Sequence, residues 1–335
     1  MPVLRTYRVT ELGIAPKRRL RWLIAVVVLL AAGFGFAAVV GSAVDARPAL
    51  LRVAERLPQN ARTVAHPLVL TLGGPVYCGQ AAPLARYLGA ILLCPDYGRD
   101  GERSGASRAR RVEDWGDPRY LDRVARLPAQ LRHAGVKVSE LVLVGASYAG
   151  YAAAELAATH PQLRPRALIV VDAFLDLPDR FRALRPGQPT RAEMIQVLGG
   201  TLAQRAREYR RRSPSDHLAG LATAMRHGMH MLDVWSVAPA GEREFNGAMC
   251  SVGSNAVWLW RLARLLHHPV TGYVTELRHA FALWDWWRQL LALAALAPPT
   301  KSTFPAAAIS FRAGRSIPSA SHCDPASVTA DATTR

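Results

Sequence analysis

Between residues 66 and 174 short apolar runs alternate with stretches of helical periodicity, and this narrows the choice of fold more than any other feature of the chain. HPLVLTLGGP (66–75), GAILLCPDYG (89–98), VSELVLVG (138–145) and RALIVVDAF (166–174) are bounded by Gly, Pro, Asp or charged residues. They are too short for helices and apolar at successive positions, as strands buried on both faces are. Between them, residues 80–88, 118–134 and 148–160 read as helices; Leu121, Val124, Leu127 and Leu131 recur at helical spacing in the second. Strands of this kind separated by helices imply an α/β fold, a mostly parallel sheet covered on both sides. The rhythm resumes later with strands in MLDVWSVAPAG (231–241) and PVTGYVTELRH (269–279) and helices over 249–266 and 282–296. Residues 185–230 interrupt it with arginine-rich helical sequence and no strand, as a helical lid inserted at the sheet edge would. From Ala297 to Arg335 Pro, Ser, Thr and Ala dominate, which predicts a disordered tail.

The N-terminal part is different in kind. Residues 22–44, WLIAVVVLLAAGFGFAAVVGSAV, carry no charge and are long enough to span a bilayer as a helix. Lys17, Arg18, Arg19 and Arg21 precede them, so the positive-inside rule leaves residues 1–21 in the cytoplasm and the rest of the chain outside it. A cleaved signal peptide is the competing reading, but the apolar core exceeds the ~7–15 residues of a cleavable signal, which favours a signal-anchor. Residues 45–65 then read as a tether, and residues 66–296 as the folded domain. Four cysteines in an exported chain permit disulfides, and no Cys-x-x-Cys or Cys/His cluster suggests a metal.

The formal charge of +17 raises nucleic acid and anionic membrane as partners. Of the 42 basic residues only Lys17, Lys137 and Lys301 are lysine, and the arginines are scattered through the chain. No zinc-ligand spacing, RNA-binding aromatic signature or basic heptad helix organises that charge, so nucleic acid is not an expected partner.

The third strand runs into Gly145-Ala146-Ser147-Tyr148-Ala149-Gly150 and then into an alanine-rich helix. This segment resembles the G-x-S-x-G elbow of the α/β-hydrolase family, with Ala149 in place of the last glycine. A turn tight enough to expose a serine hydroxyl at a strand end crowds the positions around it, and small residues relieve the crowding. The following helix also presents its N-terminus to a developing anion. The resemblance covers residues 65–296 and implies a Ser–acid–His order along the chain.

On that resemblance Ser147 is the nucleophile. His279 stands at the end of the last strand, where the family carries its base, while His322 lies in the tail. The acid is expected after the penultimate strand, where Gly241-Glu242-Arg243-Glu244 offers Glu244 first and Glu242 second; Asp172 and Asp176, after the strand at 167–171, are alternatives. Backbone N–H groups of Tyr148 and Gly74 are the expected oxyanion donors, with Val76 in reserve because Pro75 has none to give. Leu72 replaces the histidine that family members carry before this loop, and Asp96–Ser104 resembles the family's D-x-x-G-x-G-x-S loop. With the strands carrying these loops as neighbours, Cys78 and Cys94 come within reach of a disulfide. The implied activity is hydrolysis of a carboxylic ester, from a small molecule, a lipid or the cell envelope, without cofactor or metal. A catalytically inactive hydrolase scaffold acting as an envelope-tethered binding protein is the alternative. A dehalogenase is disfavoured, because that chemistry needs a carboxylate at the elbow.

Overall fold

The computed structural model describes residues 54–73, 75–95, 115–236, 251–275, 286–298 and 306–312. Its centre is an eight-stranded sheet of order β1-β3-β2-β4-β5-β6-β7-β8. The strands are β1 (Ala54–Arg56), β2 (His66–Leu70), β3 (Ile91–Cys94), β4 (Val138–Ala146), β5 (Ala167–Val171), β6 (His230–Ser236), β7 (Val270–Thr275) and β8 (Ala306–Phe311). The six inner strands are parallel, and the two edge strands run antiparallel to their neighbours.

Alternate residues of each inner strand feed two cores. Leu68, Leu70, Leu143, Leu168, Val170 and Trp235 face one side. There they meet the helices α2 (Pro118–His133), α3 (Tyr148–Thr159), α7 (Leu218–Arg226) and α8 (Ser251–Leu266), through residues such as Val124, Leu156, Leu221 and Leu259. Val69, Val142, Val144, Ile169, Val171 and Val234 face the other, against Ala81, Leu84 and Ala85 of α1 (Pro75–Tyr87) and Leu290 and Leu291 of α9 (Trp287–Leu293). Burying each large apolar side chain contributes about 1.5–3 kcal/mol, so a strand apolar on both faces is stable only in this doubly covered position. Local signals set the helix starts. Pro75 and Pro118 each open a helix, where a missing N–H costs nothing, and the Asp117 carboxylate accepts from the Arg119 N–H at 2.8 Å.

Between β5 and β6 lie α4 (Leu177–Ala183), α5 (Pro189–Leu198), α6 (Leu202–Arg211) and α7. Helix α7 packs on α3 and α8 and belongs to the layer covering the sheet. Helix α6 packs on both α4 and α5. Residues 306–311, expected in a disordered tail, instead form β8, paired with β7 from Val270↔Phe311 to Thr275↔Ala306. The composition AAAISF hid this strand: its only large apolar groups are Ile309 and Phe311, and both are buried. Residues 54–56 likewise add β1 where a tether was expected, paired with β3 from Ala54↔Cys94 to Arg56↔Leu92. No helix among the described residues is long and apolar enough to cross a membrane, and the apolar run 22–44 lies outside them.

Candidate active site

Strands β4 and β5 end level with one another, with Ala146 paired to Val171, and β6 and β7 end beside them, with Ser236 paired to Thr275. The next residue of β4 is Ser147, with φ 51° and ψ −124°. That left-handed φ is rare for a residue with a side chain and persists only where the surroundings impose it. The surroundings here are explicit. The Ser147 N–H donates to the Val171 carbonyl at 2.9 Å, and its own carbonyl accepts from the Tyr151 N–H at 3.1 Å. Strand pairing thus holds the residue on one side while the first turn of α3 holds it on the other.

Glycine permits the approach of strand to helix. A Cβ at Gly145 would overlap the carbonyl of Ala149 and stand 2.5 Å from the Gly150 nitrogen; one at Gly150 would stand 2.8 Å from the Gly145 oxygen and 2.9 Å from the Ala173 Cβ. The two glycines face each other across the turn. Position 149 holds alanine without difficulty, and the second steric requirement falls on Gly150. Ser147 itself is half-buried, so the strained turn is not sealed inside the protein. Tyr148 begins α3, and its N–H lies in the first turn, where the helix offers no acceptor and favours negative charge.

A second non-glycine residue with left-handed backbone stands at the adjoining strand end. Asp172 has φ 53°, is 6% exposed, and donates its N–H to the Val234 carbonyl at 2.6 Å. It directly follows Val171, which accepts from Ser147, and so lies next to the elbow. Asp176 is placed differently. One carboxylate oxygen accepts the Asp179 N–H at 2.8 Å, capping α4, and the other accepts the Ser215 hydroxyl at 2.8 Å. Burial raises its carboxyl above the ordinary value. Gly74, Glu242, Glu244, His279 and the loop 96–104 lie outside the described residues. Of the other histidines, His66 reaches the Gly89 carbonyl at 2.8 Å, His160 the Asp122 carboxylate at 3.0 Å and His217 the Arg211 carbonyl at 2.8 Å.

Beside the elbow stands an aromatic wall that sequence reading missed. Tyr148 meets Trp115 edge to face at 5.6 Å, and Phe174 lies 5.6 Å from Trp115 and 5.1 Å from Tyr151, stacked on the latter. The Trp115 indole N–H donates to Glu193 of α5 at 3.1 Å, linking the wall to the inserted helices. Arg180 of α4 stands over the Phe174 ring at 4.8 Å. Burial pushes the Tyr148 hydroxyl well above its usual range, so the ring is a neutral wall and not a base. Phe174, two residues beyond a strand-end aspartate, carried a faint sequence signal. Trp115 carried none, since only the folded chain brings it to Tyr148. Asp233, in the middle of β6, is a further buried carboxyl, 0% exposed, and desolvation pushes it well above its ordinary value.

The disulfide is present. Cys78 in α1 is bonded to Cys94 at the end of β3, with Cα atoms 5.5 Å apart.

No family model and no curated protein matches the chain. Among solved structures it is similar to carboxyl esterase 2 from Tuber melanosporum, at 17% identity and TM-score 0.42, covering 70% of this chain and 74% of that one. It is similar to esterase B from Lactobacillus rhamnosis, at 14% identity and TM-score 0.43, covering 71% and 78%. It is also similar to the glycosylation-associated Gap123 complex from Streptococcus agalactiae, at 13% identity and TM-score 0.43; the match takes in 68% of this chain and only 42% of that one. Likenesses of this depth say nothing of reaction or substrate.

Proposed function

We propose that this chain is a serine hydrolase that cleaves a carboxylic ester through an acyl-enzyme on Ser147. The observation that carries the proposal is the φ of 51° at Ser147, a strained, half-buried hydroxyl-bearing residue at the strand-to-helix turn of a parallel sheet. His279, four residues beyond the end of β7 at Thr275, takes the Ser147 proton as the oxygen attacks the ester carbonyl. The Tyr148 N–H and an N–H at the start of α1, from Gly74 or Val76, stabilise the oxyanion. Val76 occupies the second position of α1, where the helix again supplies no acceptor. His279 returns the proton to the leaving alcohol, and water then attacks the acyl-enzyme by the same route.

Burial at the strand end bordering the elbow supports Asp172 as the acid, and Asp176 caps α4. Glu244, the first choice from the sequence, is its competitor. The ester comes from a small molecule or a lipid. A membrane-anchored, extracytoplasmic setting agrees with the apolar run 22–44 and with a disulfide, which persists in oxidising compartments.

A fluorophosphonate probe tests the proposal. We expect one covalent adduct on the wild-type chain, mapped to Ser147 by peptide mass spectrometry and lost in Ser147→Ala. Its absence from folded wild-type protein would overturn the enzymatic reading and leave the envelope-tethered binding protein. Asp172→Asn and Glu244→Gln, compared in kcat, decide the acid: the true partner of His279 loses about 10⁴-fold.

A further inference from the structure

Three consecutive residues at the end of β5 are held by three different elements. The Val171 carbonyl accepts from the Ser147 N–H at 2.9 Å, and the Asp172 N–H donates to the Val234 carbonyl of β6 at 2.6 Å. The Ala173 carbonyl accepts from the side-chain N–H of Asn255 in α8 at 2.8 Å. The first two bonds share one peptide plane, which ties the elbow to β6. The third lies on the far side of Asp172. The left-handed φ of 53° at Asp172 thus sits between a peptide held by main chain and a carbonyl held by a side chain. Such a conformation persists only while its surroundings over-determine it.

The Asn255 bond differs in kind from the other two. Main-chain pairing is supplied by the sheet whatever the side chains are, whereas this bond needs an amide donor at one helix position. Asn255 is 0% exposed, and its Oδ1, equally buried, has no hydrogen-bond partner among the described residues. An amide oxygen buried without a donor is unfavourable, so stability alone favours an apolar side chain here. What the amide offers is its donor end. Beyond Ala173 the chain is secured separately. Phe174 stacks on Tyr151 at 5.1 Å, and the Leu175 carbonyl accepts from the Ser215 N–H at 3.0 Å. Loss of the Asn255 bond therefore frees the segment between Asp172 and Phe174 and leaves the rest of the loop in place.

We propose that Asn255 is a positioning residue: by holding the Ala173 carbonyl it keeps Asp172 in its left-handed conformation, with the carboxylate set for the catalytic base. This rests on the hydrolase reading above with Asp172 as its acid. Without the bond Asp172 relaxes toward negative φ, and its carboxylate moves with the backbone. A misplacement of about 1 Å costs on the order of 10²-fold in rate, so a fraction of an ångström costs about tenfold. A carboxylate beside an imidazole favours the charged ring and raises its pKa; a displaced carboxylate raises it less. The amide carries no charge, so its removal acts on the imidazole only through the position of Asp172.

The test compares Asn255→Leu, which fills the space, and Asn255→Ala, which empties it, with wild type and with Asp172→Asn. Circular dichroism and urea melts establish that the fold persists. With p-nitrophenyl acetate we expect both Asn255 variants to lose about tenfold in kcat with KM within twofold. The acid limb of kcat/KM, which reports the base of the free enzyme, should move to lower pH by about half a unit. A residue that serves only stability lowers the urea midpoint and leaves kcat and the acid limb at their wild-type values; that result overturns the proposal, as does failure of both variants to fold. A fall in kcat with an unmoved limb overturns it too, because the effect then bypasses the base. The readings beneath it fail differently. Wild-type protein without a Ser147 adduct removes the hydrolase, and wild-type kcat in Asp172→Asn moves the acid elsewhere; the role of Asn255 falls with either.

Discussion

Gly145→Ala is a one-methyl change whose effect follows from the elbow geometry. The added Cβ overlaps the Ala149 carbonyl and stands 2.5 Å from the Gly150 nitrogen, all backbone atoms of the first turn of α3. Carbon prefers neighbours at about 3.5–4.0 Å, so relief requires the strand end and the helix to separate by roughly 1 Å. No side-chain rotation helps, because the obstacles are main chain. Overpacking of this kind costs about 1–3 kcal/mol of stability. If Ser147 is the nucleophile proposed above, displacing it by about 1 Å costs on the order of 10²-fold in rate, or about 2.7 kcal/mol of activation free energy. We expect a urea midpoint lowered accordingly and kcat/KM for p-nitrophenyl acetate reduced about a hundredfold. Ala149→Gly is the matched control. It completes the G-x-S-x-G pattern, should cost about 1 kcal/mol through helix propensity, and should keep the rate within a few-fold. If Gly145→Ala hydrolyses the ester within threefold of wild type, the steric account of the elbow is refuted.

Two further substitutions probe the framework. Tyr151→Phe deletes a buried hydroxyl that donates to the Arg212 carbonyl at 2.6 Å, and should cost about 1–3 kcal/mol in chemical denaturation because the carbonyl is left without it. Asp233→Asn tests the buried carboxyl of β6. Its folded pKa is raised, so between about pH 3.9, the unfolded value, and the folded pKa the native state binds more protons than the unfolded chain. Wild-type stability contributed by this group is therefore lost as pH rises through that window. The asparagine variant lacks the loss, so its stability relative to wild type should grow from pH 4 to pH 7 in urea melts. A relative stability that is flat or falls with pH contradicts a buried, proton-holding Asp233.

The sheet was legible because its strands are apolar on both faces: Leu168 and Val170 serve one core, Ile169 and Val171 the other, and nothing but a doubly covered strand reads that way. The elbow was legible because sterics restrict Gly145 and Gly150 to one residue type. Placements that depend on where a strand ends were harder. Asp172 and Asp176 are equivalent as letters, yet β5 stops at Val171 and leaves the first at the rim while the second starts a helix. The aromatic wall was illegible, since Trp115, Tyr148 and Phe174 lie far apart in the chain and only packing introduces them. β8 escaped notice because alanine and serine in AAAISF mimic the low-complexity sequence around it, and two buried side chains suffice to pin an edge strand.

The left-handed conformation of Ser147 has a consequence for how such a chain changes over time. Glycine would occupy that conformation at less cost, so heat resistance, taken alone, pulls position 147 away from serine. A hydroxyl kept there is a standing sacrifice of robustness, and the rest of the architecture must carry enough surplus to tolerate it.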